Sequence, residues 1–140
     1  MNLRMETTSA GVNWGEVCDI FEQVDLQCGS VENVQKAFEN SQIVRFVYDG
    51  DKLIAIGRAL TDFISQSSIY DVAVSPDYQK GGIGRQLVES LMQECDGTNI
   101  LMCVYPGCEV FYKKFGFRLL KTGMARFRKP NWMSIRGFTE

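Results

Sequence analysis

The sequence predicts an α/β fold built on a mixed, mostly antiparallel, twisted sheet, with a central parallel strand pair and helices on both faces. Three observations carry this. The β-branched run Ser67–Ser75 is stopped by Pro76 and leads through a glycine-rich turn into an amphipathic helix. A second apolar run, Asn99–Val104, follows that helix, and a right-handed crossover sets it parallel beside the first. Before both, Ile43–Tyr48 and Leu53–Leu60 flank Asp49-Gly50-Asp51, the turn chemistry of an antiparallel hairpin.

Taken in order, residues 1–10 form a weak strand or extended arm, with Leu3 and Met5 alternating against Arg4 and Glu6. Asn13 caps a helix over Asn13–Leu26, whose apolar stripe is Val17, Ile20, Phe21 and Val24. Ser30 starts a second helix, carrying Val31, Val34, Ala37 and Phe38 and ending near Asn40. Gly57, inside the second hairpin strand, marks a bulge or a close approach. Ser67–Ser75 is apolar on both faces, hence central, with Val72 and Val74 expected in the core.

In the helix after the glycines, Ile83, Leu87, Leu91 and Cys95 fall on one line, widened by Val88 and Met92. Arg85, Glu89, Gln93 and Asp96 face outward. Gly107–Phe115 is a short helix with Phe111 and Phe115 inward, and Phe117–Leu120 and Met124–Arg128 are expected as closing strands.

The chain of 140 residues is expected to be one domain, residues 1–140, with 45% hydrophobic and 23% charged residues. A net charge of −2 and a pI near 5.2 argue against a broad basic surface and so against nucleic acid as partner. No apolar run approaches the ~20 residues that span a bilayer, so no membrane association is expected. Five cysteines without CxxC spacing, and no histidine, argue against a metal site. They exclude a fully paired disulfide framework; read as free, mostly buried thiols, they imply a reducing, cytoplasmic location.

Strand, glycine turn, helix is an arrangement that aims backbone N–H groups at an anion. Gly81-Gly82-Ile83-Gly84 lacks the spacing of the dinucleotide fingerprint, and no Lys-Ser/Thr closes it as a P-loop. Gln79-Lys80-Gly81-Gly82-Ile83-Gly84 reads as Gln-x-x-Gly-x-Gly, which resembles the pyrophosphate-binding motif of the GNAT superfamily of acyl-CoA-dependent N-acyltransferases. Tyr105-Pro-Gly-Cys-Glu-Val-Phe-Tyr-Lys-Lys-Phe-Gly-Phe117 resembles the family's late helix, Ala-x-x-Phe-Tyr-x-x-x-Gly-Phe. The resemblance spans about residues 42–120.

The resemblance implies acetyl-CoA as acyl donor, held where the parallel pair splays apart at the carboxyl ends of its strands. Residues implied in holding it are Val72, Ala73, Val74, Gln79, Lys80, Gly81, Gly82, Ile83, Gly84, Arg85, Tyr105, Phe111 and Tyr112. The amides from Lys80 to Arg85 would take the pyrophosphate, and residues 71–74 would pair with the pantetheine arm as with an added strand. The resemblance further implies a backbone N–H, that of Val72, polarising the thioester carbonyl, and Tyr112 protonating the departing thiolate.

For a general base the candidates are Asp71, Asp62, Glu109, Tyr70 and Tyr48, with water relay as the alternative. Asp71 alternates with Ile69 and Ala73 and is the base retained among the catalytic residues. Cys108 and Glu109 depart from the small or amide residues usual at that helix start.

These readings give direct acetyl transfer to a primary amine of a small molecule or peptide, in a ternary complex. No histidine is present to activate Cys95, Cys103 or Cys108 for an acyl-cysteine route. The rival readings are an acyl-CoA-binding sensor or subunit without turnover, and an interaction domain built on the tail. An apolar tail (Leu119, Leu120, Met124, Phe127, Trp132, Met133, Ile135, Phe138) points to a homodimer, with the tail folding back over its own sheet as the alternative.

Overall fold

The computed structural model describes residues 1–140, which separate into two compact units, Met1–Met102 and Cys103–Glu140. The first holds a five-stranded sheet in the order β1 (Leu3–Glu6), β2 (Ile43–Asp49), β3 (Lys52–Thr61), β4 (Gln66–Val74), β5 (Asn99–Met102). Neighbours pair antiparallel except β4 and β5, which are parallel, as expected from the intervening helix.

Helices α1 (Trp14–Gln23) and α2 (Val31–Glu39) begin where their caps dictate. The Asn13 carboxamide oxygen accepts from the Gly15 and Glu16 amides at 3.0 and 3.4 Å, and the Ser30 hydroxyl from the Asn33 amide at 3.1 Å. Glu16 does not close a capping box; its carboxylate accepts from the Leu53 amide and ties α1 to β3. The two helices bury Val17, Ile20, Phe21, Val34 and Phe38 against Phe46, Leu53, Ile56 and Ala73. Helix α3 (Ile83–Glu94) covers the opposite face, with Ile83, Leu87, Val88, Leu91 and Cys95 buried. Arg45 reaches that helix from β2, buried, donating to the Ser90 hydroxyl and the Glu94 carboxylate, each at 2.7 Å.

Gly57 meets both expectations held for it. The β3–β4 register shifts there, and a Cβ on Gly57 would lie 3.0 Å from Leu91 Cδ1. Only glycine lets α3 sit this close to β3.

Two expectations are overturned. Cys18 and Cys28 form a disulfide that ties α1 to the loop before α2, so the thiols are not all free and the inference of a reducing compartment loses its premise. Cys95, Cys103 and Cys108 are free, and the last two are exposed rather than buried.

Phe117–Leu120 and Met124–Arg128 form no strands, and Leu119, Leu120 and Met124 stand exposed. Alternation of side chains is local, whereas a strand exists only where another backbone takes its N–H and C=O groups. The C-terminal unit has no strand to offer; its elements are α4 (Glu109–Lys113) and α5 (Pro130–Ile135). Helix α5 had no sequence forecast. Its start has Pro130 in the first turn, a position where the missing N–H costs nothing.

Charge is divided unevenly between the two units. Residues 1–102 carry seven Lys/Arg against fifteen Asp/Glu, a balance of −8, and residues 103–140 carry eight against two, a balance of +6. The mean of −2 hides two oppositely charged units. No helix is long and apolar enough to cross a membrane.

Candidate active site

The glycine-rich segment lies between β4 and α3 and is pinned at several points. The Ser75 amide donates to the Ile54 carbonyl at 2.8 Å, and its hydroxyl to Gln23 Oε1 at 3.0 Å. A single 3₁₀ turn, Pro76–Tyr78, follows. The Tyr78 hydroxyl donates to the Asp49 carboxylate at 2.7 Å, which holds the Asp49 carboxyl below the usual range and pushes the Tyr78 phenol up. Gln79 Nε2 donates back to the Val74 carbonyl at 3.0 Å. The motif's glutamine therefore closes the loop onto the end of β4.

Beyond Gln79 the backbone turns left-handed twice, at Lys80 (φ 73°) and at Gly82 (φ 82°). Gly82 is the N-cap of α3 and has no side chain to cap the helix; no acidic residue occupies the first turn. The first α3 bond runs from the Gln86 amide to the Gly82 carbonyl at 3.0 Å. The amides of Ile83, Gly84 and Arg85 thus precede the first intrahelical donor, at the positive end of a twelve-residue helix. Lys80, Gly81, Gly82 and Arg85 are all exposed, so an anion can reach these amides.

Strand β5 accompanies β4 over Gln66–Ile69 only, ending at Met102 opposite Ile69. From Tyr70 to Val74 no strand of the five-stranded sheet lies on that side, so the parallel pair opens ahead of the glycine turn. In this stretch β4 carries a bulge. Ile56 pairs with Ala73 and Arg58 with Tyr70, leaving Asp71 and Val72 opposite the single residue Gly57. Asp71 has φ 58°, the left-handed conformation of a bulge's first residue.

The bulge breaks the alternation read from the sequence. Tyr70 pairs with Arg58 and Ala73 joins the α1/α2 cluster, so the strand changes face within three residues. Val72 and Val74, expected in the core, are only half-buried as a result. Asp71 does not stand alone on an apolar face: Arg58 Nε donates to its carboxylate at 2.6 Å.

The C-terminal unit contains the remaining candidates. Cys108 donates its amide to the Tyr105 carbonyl and Gly107 its amide to the Glu109 carboxylate, which together shape the turn into α4. On α4, the Tyr112 ring meets Phe111 edge-on at 4.9 Å and Phe117 at 6.1 Å. Phe111 and Phe115 pack on each other at 5.2 Å but are half-buried, not core. Burial pushes the Tyr112 phenol up to about 12, with Cys108 adding to the effect, so the hydroxyl keeps its proton at any physiological pH. The Tyr105 hydroxyl accepts from Arg136, and its ring meets Phe138 at 5.1 Å. The tail thereby folds back on the start of its own unit.

Of the other base candidates, Asp62 is committed to the β3–β4 turn. Its carboxylate accepts from the Ile64, Ser65 and Gln66 amides, and these bonds hold it far below the usual range. Tyr48 is pushed up by burial and by Glu16. Glu109 is engaged by Gly107, and Tyr70 lies 5.3 Å beneath the Arg58 guanidinium. Sequence reasoning missed Arg58, Asp49 and Tyr78. The signal for Arg58 was its place beside Gly57 in a strand otherwise apolar; nothing in the sequence announces the Asp49–Tyr78 contact across 29 residues.

Residues 40–119 match the profile of the Acetyltransferase (GNAT) domain. Serotonin N-acetyltransferase 2, chloroplastic, of Oryza sativa subsp. japonica is 28% identical over 131 residues, covering 86% of this chain and 66% of the rice protein. This chain therefore spans just under two thirds of that relative. GCN5-related N-acetyltransferase 1, chloroplastic, of Arabidopsis thaliana is 25% identical over 118 residues, covering 81% of this chain and 60% of that protein. Among solved structures, a GNAT-family acetyltransferase of Streptococcus pneumoniae superposes with a TM-score of 0.77 at 22% identity, over 91% of this chain and 98% of that one, which speaks to the fold.

Proposed function

The chain belongs to the GNAT acetyltransferase family, and on that footing we propose that it transfers the acetyl group of acetyl-CoA directly to a primary amine, without a covalent enzyme intermediate. The observation that carries the reading is the exposed start of α3. Gly82 caps it without a side chain, no acid guards it, and it follows the point where β4 and β5 part. These amides suit the pyrophosphate of CoA, with Lys80 and Arg85 adding positive charge beside it. Gln79 supports the site by holding the loop, its amide being spent on Val74.

In the reaction the amine nitrogen attacks the thioester carbonyl carbon. A C–N bond forms, the C–S bond breaks, the ammonium proton passes to water, and the thiolate takes a proton. We assign the Val72 N–H to the carbonyl oxygen as charge develops there; such a donor contributes about 3–4 kcal/mol in comparable acyl transfers. Tyr112 is assigned as the group that gives the thiolate its proton. Its pKa near 12 keeps the phenol protonated and ready to donate a hydrogen bond to the departing sulfur; against ~8.5 for a thiol full transfer is uphill, so the proton that Tyr112 passes on is restored to it from water. The backbone of Ala73 and Val74 is proposed to run beside the pantetheine arm as an added strand would, and Tyr105 and Phe111 are proposed as further contacts to it.

The acceptor is proposed to be a small cationic amine, with arylalkylamines as the first class to try. Support comes from the activity named for the rice relative and from the −8 balance of residues 1–102, which favours a cation. Protein amines are the second class. The test is amine-dependent release of CoA thiol from acetyl-CoA. Tight CoA binding with no product from any amine would leave a binding module instead.

A further inference from the structure

We propose that Arg58 and Asp71 form a clamp that holds the β4 bulge open, so that Asp71 serves the site by its backbone conformation and not as a base. The functional half of this inference rests on the reading of Val72 given above; the conformational half stands without it.

A left-handed backbone disfavours any residue with a Cβ, and the first position of this kind of bulge ordinarily takes glycine. Here it takes Asp71, at φ 58°. Aspartate and asparagine tolerate the region better than other residues, and the surroundings hold this one there. Arg58 Nε donates to Asp71 Oδ2 at 2.6 Å, and the pair is mostly shielded from water, with 17% and 32% of the two side chains exposed.

Arg58 cannot follow a moving carboxylate. Its Nη1 donates to the Ser41 hydroxyl at 3.2 Å, and that hydroxyl donates to the Ala37 carbonyl at 2.7 Å, which anchors the guanidinium to the last turn of α2. The Phe38 and Tyr70 rings lie 5.7 and 5.3 Å from Arg58 Cζ. Across the bulge, Gly57 is fixed by Leu91 of α3 at 3.0 Å from where its Cβ would stand. The bulge is therefore gripped by α2 through Arg58 and backed by α3 through Gly57.

Its position gives it a consequence. β5 leaves β4 at Ile69, two residues before Asp71, and Val72 is the second residue of the bulge. The clamp thus sets both where the parallel pair opens and which way the Val72 N–H points. The Asp71 carboxylate is already occupied by a charge-assisted bond from a fixed guanidinium, which holds it toward β3.

Three variants separate the two roles. Asp71→Asn keeps an acceptor for Arg58 and tolerates φ 58° but cannot act as a base. Asp71→Gly adopts that φ freely, and Asp71→Ala does neither. The clamp predicts that Asn and Gly retain kcat to within about fivefold, whereas Ala loses about tenfold or more with a smaller change in KM for acetyl-CoA. A base would lose about a hundredfold or more in all three.

The amide resonance of Val72 and the urea midpoint are read on the same proteins. Both should stay nearer to wild type in Asn and Gly than in Ala. Equal loss of kcat in all three folded variants overturns the clamp, as does an Ala variant with a wild-type Val72 resonance and midpoint. Should wild type acetylate no amine while the resonance and midpoint order holds, the functional reading falls and the clamp stands.

Discussion

Replacing Gly82 by alanine isolates the role of the glycine turn, because the added methyl group meets nothing. A Cβ built on Gly82 has no heavy atom within 4 Å, so the whole effect comes from φ 82°. Holding an L-residue there costs roughly 1–2 kcal/mol. The chain either bears that cost or relaxes the turn, and relaxation swings the Ile83 and Gly84 amides away from their present directions. Forfeiting one charge-assisted bond to phosphate costs roughly 1.5–3 kcal/mol, which is a roughly ten- to hundredfold loss in CoA affinity.

Gly97 provides the control. It has φ 86°, is equally unobstructed, and lies beyond the other end of α3. Gly97→Ala should lose similar stability in urea while CoA affinity stays at the wild-type value. Calorimetry on both variants, checked by urea unfolding, reads the difference. Unchanged CoA affinity in a folded Gly82→Ala protein would refute the pyrophosphate assignment, and an equal loss in Gly97→Ala would show that destabilisation alone explains it.

Four further outcomes are expected. Tyr112→Phe should keep CoA affinity while kcat falls about a hundredfold; a rate within about twofold of wild type would remove Tyr112 from the chemistry. The raised Tyr112 pKa favours the neutral phenol in the folded protein, so its contribution is complete below pH ~10 and is lost as pH rises through about 12. Roughly 2–3 kcal/mol should disappear over that interval and be absent from the Tyr112→Phe unfolding curve. Arg45→Met should change stability by under ~1.5 kcal/mol despite the burial of Arg45, because its partner Glu94 is 47% exposed and water can take over its charge. The proposed homodimer is read by light scattering on the intact chain and on one stopped after Pro130: a dimer mass that falls on truncation supports it, and a monomer mass for the intact chain ends it.

Much of the sheet was legible because its signals are local. Asp49-Gly50-Asp51 specifies a turn by backbone preference, Asn13 and Ser30 specify helix starts by the bonds their side chains make, and the Ile83–Cys95 line specifies the buried face of α3. The glycine turn was legible for the same reason. What escaped depends on partners distant in sequence. The β4 bulge shows only as a register shift against Gly57, and without it the alternation assigned Asp71, Val72 and Val74 to the wrong surroundings. Met124–Arg128 alternates as a strand would, but alternation supplies no partner. Cys18 and Cys28 are ten residues apart with the end of α1 between them, and an odd cysteine count discouraged pairing any two. Whole-chain charge averages over opposite excesses on either side of residue 102, so it says little about either unit.

The most direct test of the central claim mixes the protein with acetyl-CoA and a panel of amines, tryptamine and serotonin included, and follows acetylated amine by mass spectrometry beside free CoA thiol. Mass detection matters because the exposed Cys103 and Cys108 would themselves react with a thiol reagent. The account predicts acetylated product and CoA in equal amounts, appearing only when an amine is present. Stoichiometric release of CoA before any amine is added would mean acetyl transfer to the protein itself and would contradict direct transfer; CoA binding without product from any amine would contradict catalysis.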